Sequence, residues 1–227
     1  MTQFRNGGRL LEIGPSTGAF CLLAKRAGFE VRAIEIDETC VAFLRNEMGL
    51  SVDHSGDPDL VLNRSEESYD VICLWHALEH TPRPWAVLEA AAKRLRPGGQ
   101  IFIACPNPDA WQAAIMGPRW PHWDLPRHLF AIPIPWIRQH AARLGLVVQL
   151  ATTRDIGSLY LNRVGWSMAI ERLALPARLR RVLHRIVPIL AYPWDSVEGR
   201  GSCYCVVLRR PPEPSQVPGH SAAGSGG

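Results

Sequence analysis

The sequence predicts an α/β fold, a doubly wound and mostly parallel sheet with helices on both faces. Three observations carry that prediction. Through the first half of the chain, short apolar runs alternate with stretches of helical periodicity. Alternation of that kind calls for a parallel sheet joined by right-handed crossovers. A turn of small residues, Gly14-Pro15-Ser16-Thr17-Gly18, links the first apolar run to the first helix, the place where open α/β sheets bind ligands. Finally, 227 residues with 47% hydrophobic and 20% charged side chains suffice for one buried core without disulfide or metal staples.

Each element has its own signal. Arg9 to Ile13 is a short apolar strand, and the helix from Thr17 to about Ala27 stops at Gly28, a natural residue beyond a helix end. Val31 to Ile36 reads as the second strand. Asp37 can cap the helix that follows, which ends at Gly49. A weaker strand lies at Ser51 to His54, and Tyr69 to Leu74 is a buried one. Pro84 to Leu95 is helical, ended by Arg96-Pro97-Gly98-Gly99, and Gln100 to Cys105 returns to the sheet. The second half is less regular. It holds a loop rich in Trp, Pro and His (117–128), a helix near Pro135 to Leu144, and a strand from Leu146. A helical pair spans about Trp166 to Leu190, and a last strand runs from Ser202 to Leu208. From Pro211 onward the chain is mostly Pro, Ser and Gly, and disorder is expected there.

Charge and cysteine usage narrow the partners. A net charge of +4 is too mild to indicate nucleic-acid binding. Eight tryptophans suggest an aromatic-lined surface. Six cysteines are scattered, mostly within apolar runs, and none forms a zinc-type pairing; Cys203 and Cys205 would share one strand face. No apolar stretch spans a bilayer and no signal core opens the chain, so a reduced, cytoplasmic protein is expected.

The glycine turn admits three readings. A dinucleotide site wants glycines at i, i+2 and i+5, whereas the small residues here are Gly14, Ser16 and Gly18. Gly14-Pro15-Ser16-Thr17-Gly18 also matches the G-x-S-x-G nucleophile elbow, but that elbow sits deep inside a hydrolase sheet, after an oxyanion loop. The third reading is a resemblance. Glu12-x-Gly14-x-Ser16-x-Gly18 resembles motif I of the class I S-adenosylmethionine (SAM) methyltransferases, with Ser at a position usually held by Gly. Glu35 follows Gly18 by seventeen residues, at the end of the second strand. Ser68-Tyr69-Asp70-Val71-Ile72 is similar to the family's fourth-strand motif, and Leu95 to Ile103 to its L-x-P-G-G-x-L turn. Leu74 to His80 and Pro126-Arg127-His128-Leu129 resemble segments of the subgroup related to ubiquinone-biosynthesis O-methyltransferases.

That resemblance covers about residues 9 to 150 and implies a Rossmann-like sheet of seven strands with an antiparallel last strand. The methyltransferase domain is expected over 1–210, with a helical lid or insertion at 157–192 and a disordered tail at 211–227. The family usually carries helices before the first strand, and this chain begins almost at that strand; a truncated start, or a cover supplied from elsewhere, is the expectation. SAM is the implied cofactor. Gly14, Ser16 and Gly18 would let the backbone approach its amino acid end, and Glu12 would order the turn or meet the ammonium through water. Glu35 would hold the ribose with its two acceptor oxygens, Ile36 would flank the adenine, and Asp57 would meet the adenine amine, with Asp53 and Asp59 competing. Leu74 and Trp75 would line the cleft.

Methyl transfer needs alignment and exclusion of water more than covalent help. A hydroxyl acceptor also needs a base, and histidine suits that work near neutral pH. His76, His80, His122 and His128 are the candidates, with His128 first and His80 second. His76, Glu79 and His80 would share one face of a helical turn, a set chemically able to ligate a divalent metal; local pairing without metal is the simpler expectation. Arg178 to Leu190 forms a basic amphipathic helix with Leu179, Val182, Leu183, Ile186, Val187 and Leu190 on one face. Packing as a lid is the simpler expectation, and contact with a membrane or a lipid-linked substrate the alternative. The expected activity is methyl transfer to a small-molecule acceptor, at oxygen before nitrogen, with a noncatalytic partner module as the alternative; no nucleic-acid partner is expected.

Overall fold

The computed structural model describes residues 7–213. Residues 214–227, which hold most of the tail expected from Pro211 onward, lie outside the described residues. Strands β1 (Gly8–Ile13), β2 (Phe29–Glu35), β3 (Ser51–His54), β4 (Tyr69–Trp75), β5 (Leu95–Pro106), β6 (Val147–Thr152) and β7 (Cys203–Arg209) form one sheet in the order β3-β2-β1-β4-β5-β7-β6. β7 runs antiparallel to both of its neighbours, and the other pairs are parallel. The sheet is thus the seven-stranded one expected, with its last strand reversed.

Successive residues of a strand face opposite sides of the sheet, and both sides are covered here. Leu10, Val31, Ala33, Val71 and Cys73 pack against α1 (Ala19–Arg26) and α2 (Glu38–Asn46) on one face. Leu11, Ile13, Ile34, Ile72 and Leu74 pack on the other face, against α3 (Pro58–Arg64), α4 (Pro84–Arg94) and α6 (Ile134–Arg143). That two-sided burial explains why β4 reads as a continuous apolar run from Val71 rather than an alternating one, and why β1 is apolar from Leu10 onward except for the buried Glu12. Asp37 caps α2 as expected, accepting the Cys40 N–H at 2.8 Å.

The remaining helices depart from the sequence reading, and buried polar residues are the reason. α3 and α5 (Trp111–Met116) were not expected. α3 buries Asp59 against Arg83 (3.0 Å), and α5 buries Gln112, which donates to the Asn162 carbonyl at 2.9 Å. α7 (Ile156–Glu171) and α8 (Ala177–Asp195) start earlier and end later than the expected pair. α7 turns Ser158, Asn162 and Gly165 inward and leaves Ile156 and Tyr160 exposed, so it has no apolar stripe to read. Its inner face joins a polar network: the Ser202 N–H donates to Asn162 Oδ1 at 2.6 Å, and Trp166 Nε1–H donates to Asp195 Oδ2 at 2.7 Å. The expected apolar face of α8 is only partly covered: Leu183 and Val187 are half-buried, Leu179, Val182, Ile186 and Leu190 are exposed, and the fully buried positions are Ala191 and Asp195. No described helix is long and apolar enough to cross a membrane.

Candidate active site

The carboxyl ends of β1 to β4 meet where the strand order reverses, between β1 and β4, the switch point at which open α/β sheets bind ligands. A cleft of about 360 Å³ opens there, lined by Gly14, Ser16, Glu35, Ile36, Ser55 and Gly56 on one side and by His76, His80, Thr81 and Arg127 on the other. The turn after β1 is shaped by left-handed backbone at Gly14 (φ 71°), Ser16 (φ 51°) and Gly18 (φ 76°). Gly18 is needed twice over, because a side chain there would also fall inside Leu44 and within 2.9 Å of Met48 Sδ.

Glu35 organises this turn. It is buried, and its Oε2 accepts the Ser16 N–H at 2.8 Å. Its Oε1 accepts the N–H groups of Ile36 and Asp37 at 2.8 and 2.9 Å. Each oxygen offers about two lone-pair sites, so Oε2 retains capacity toward the cleft. Ile36 is 67% exposed beside it. Glu12 lies beneath the turn instead, where its Oε2 accepts the Cys21 S–H at 2.8 Å, and burial raises its carboxyl above the ordinary range. Three expected cleft residues are placed elsewhere. Asp57 pairs with Arg83 at 2.7 Å, Leu74 is fully buried in the core, and Trp75 packs on Phe20 with ring centres 5.3 Å apart. Ser55, Gly56 and Thr81 line the cleft without having been assigned a role from sequence. Ser55 and Gly56 were findable, since they follow β3 at the same sheet edge as Gly14 and Glu35.

The histidines regroup. His76 sits in a left-handed turn (φ 53°) ahead of the 3-10 turn at Leu78–His80, so it does not share a helical face with Glu79 and His80. Its Nδ1 lies 3.4 Å from Glu79 Oε1, and its Nε2 3.6 Å from Cys203 Sγ. The trio that does converge is Glu79, His80 and His128, with one ligand-type atom of each within 4.8 Å of the others. The 117–128 loop is held there by backbone: the Leu129 N–H donates to the Glu79 carbonyl at 2.9 Å. His80 Nδ1 contacts the Arg127 carbonyl, and His128 Nδ1 the His122 carbonyl, both at 2.9 Å. A carbonyl only accepts, so each Nδ1 carries the proton and each Nε2 is left as the basic nitrogen. The two rings touch edge to face, with centres 4.7 Å apart. Glu79 is 1% exposed, and neither of its oxygens has a hydrogen bond of good geometry. Burial pushes its carboxyl up, but His76 and Cys105 offset that, and it sits below its ordinary value.

His128 also faces a second, smaller pocket of about 80 Å³, walled by Trp120, His122, Trp123 and Phe130. Asp124 pairs with Arg127 at 3.3 Å and stands 4.0 Å from His128 Nε2. His122 donates from Nε2 to the Leu161 carbonyl of α7 at 3.2 Å, and burial lowers it from 6.5 to about 4. It is therefore neutral in the fold, whereas the unfolded chain takes up the proton first as pH falls. Its contribution to stability is complete above pH 6.5 and is lost as pH drops toward 4. Melting temperatures should fall through that window, and His122→Gln should flatten that part of the profile; an unchanged profile would contradict the assignment.

The antiparallel β7, inserted between β5 and β6, sets this sheet apart from the 3-2-1-4-5-6 order of dinucleotide-binding folds. Residues 1–151 match the methyltransferase domain family. The chain belongs to that family. Curated relatives of this methyltransferase domain include ubiquinone biosynthesis O-methyltransferases. That of Stutzerimonas stutzeri is 30% identical over 127 residues, 53% of this chain and 55% of the relative. That of Burkholderia vietnamiensis is 33% identical over 105 residues, 44% and 45% of the two chains. The chain thus spans about half the length of the curated relatives it matches. Among solved structures, a SAM-dependent methyltransferase from Archaeoglobus fulgidus superposes with a TM-score of 0.60 at 19% identity, over 91% of this chain and 87% of the other. One from Mesorhizobium loti gives 0.57 at 17% identity, over 90% and 92%. At those identities the likeness is one of fold: the sheet is that of the SAM-dependent methyltransferases.

Proposed function

We propose that this methyltransferase domain transfers the methyl group of SAM to an oxygen of a small-molecule acceptor, with His128 as the base. One observation carries the reading. His80 lines the cleft that contains the glycine turn and Glu35, and the ring against it, His128, lines the adjoining aromatic pocket. A nucleophile in the second pocket would therefore meet a basic nitrogen at the boundary with the first. The names of the curated relatives also favour oxygen over nitrogen.

The cleft residues suit SAM chemically. The Glu35 carboxylate has acceptor capacity for a ribose diol, Ile36 offers an apolar face for a purine, and the left-handed turn brings backbone to the cleft wall. SAM, when bound, supplies an electrophilic methyl on a sulfonium that is already a good leaving group. The protein's own work is to hold the acceptor, to take its proton at a histidine Nε2, and to keep water out with the tryptophan wall. The buried and underbonded Glu79 favours a second reading, in which a divalent cation held by Glu79, His80 and His128 lowers the acceptor's pKa in place of a free base.

Calorimetric titration with SAM and S-adenosylhomocysteine tests the cofactor, followed by transfer to phenolic and amine acceptors. Glu35→Ala should weaken SAM binding by about 1–3 kcal/mol, through lost charge-assisted hydrogen bonds. Unchanged affinity would remove Glu35 from the site, and absence of SAM binding by the parent would leave a noncatalytic module.

A further inference from the structure

The helical pair α7 and α8 lies beyond residue 151, where the family match ends, and its outer surface is unusual. Leu179, Val182, Ile186, Ile189 and Leu190 are all exposed, Ile189 at 72% and Leu190 at 64%. At 100° per residue these five positions fall within one arc of the helix. Exposed Arg178, Arg181 and Arg185 run along one flank of that arc. Arg180 is tied to Glu171 at 3.2 Å and His184 to the same carboxylate at 2.7 Å. Arg178, Arg181 and Arg185 have no ion pair among the described residues. The opposite side of α8 is committed to the protein through buried Ala191 and Asp195, the latter fixed by Trp166. The helix cannot roll to hide its apolar arc without breaking that network.

We propose that α8 docks on an anionic lipid surface, with the apolar arc at the acyl boundary and Arg178, Arg181 and Arg185 at the headgroup phosphates. An exposed apolar stripe beside a row of free arginines is the pattern of a helix lying in the membrane interface. Charge decides the occupant. A headgroup layer offers phosphates along the whole arginine row. A second copy of the chain, paired about a two-fold axis, would instead present the same arginine row to the interface with no exposed acidic row on α8 to meet it. This proposal is independent of methyl transfer, and so is its test.

Co-sedimentation of the purified chain with vesicles reads it directly. Binding is expected to vesicles of phosphatidylglycerol mixed with phosphatidylcholine, to weaken with added salt, and to be absent on phosphatidylcholine alone. Arg181→Gln and Arg185→Gln should each weaken binding about fivefold, and Ile189→Glu about tenfold or more. Each variant should melt as the parent does, since these side chains face solvent; Ile189→Ser carries the same arm with a smaller change. Absence of binding, equal binding to both vesicle types, or binding indifferent to these substitutions would overturn the proposal. So would a concentration-dependent dimer that Ile189→Glu dissolves, since the arc would then belong to a second copy.

Discussion

Replacing His128 by alanine is expected to slow methyl transfer by about 10²-fold or more, the usual contribution of a positioned base, with SAM affinity unchanged. The Nδ1 proton of His128 is committed to the His122 carbonyl, which leaves Nε2 as the basic nitrogen, and the side chain stands at the aromatic pocket rather than against the glycine turn. The loss should therefore appear in kcat at saturating SAM. A chelator applied to the parent divides the two readings of the site. Full activity in chelator keeps His128 as a free base. Loss restored by a divalent cation assigns Glu79, His80 and His128 to that cation. A near-normal rate in His128→Ala would exclude both roles for this residue.

Gly18→Val is the second large effect, and it falls on the fold as well as on the glycine turn. Two costs add. A β-branched residue at φ 76° is strained by about 1–3 kcal/mol, and the new side chain would collide with Leu44, which is fully buried and has nowhere to move. A loss of about 3 kcal/mol or more is expected, read as a fall in denaturation midpoint, together with weaker SAM binding as α2 is pushed from the turn. Gly98→Ala is the control: its backbone is equally left-handed (φ 79°), but nothing lies within 4 Å of the added carbon. It should cost about 1 kcal/mol. Equal losses at the two positions would mean that strain alone, and not the approach of α2, makes Gly18 necessary.

The sheet was legible in the sequence because its central strands are buried on both faces and its crossovers are regular. Ser51–His54 was placed to the residue, and the Asp37 cap was anticipated from its position alone. Gly14, Ser16 and Glu35 do line the cleft, because they lie at or just beyond strand ends, where topology itself delivers them. Asp57, Leu74 and Trp75 do not line the cleft, because position along the chain does not fix which way a side chain turns. Asp57 is captured by an arginine twenty-six positions away, and Leu74 and Trp75 alternate into the two cores. The partnership of Glu79 with His128 was not legible either. It depends on a long loop folding back onto the residues after β4, whereas the short spacing of His76 to His80 suggested one helical turn, and the 3-10 turn that forms there leaves His76 out. α7 was obscured most of all, since it buries asparagine and serine and exposes isoleucine and tyrosine.

The place of β7 in the sheet has a consequence for how the protein is made. Among the described residues Cys203 to Arg209 is the last strand along the chain but not the last in the sheet, for it lies between β5 and β6. Until it emerges from the ribosome, β5 keeps an open edge and β6 has no neighbour to pair with. The order of synthesis therefore leaves two strands waiting for a third, and a chain cut short before Cys203 would forfeit β6 along with β7.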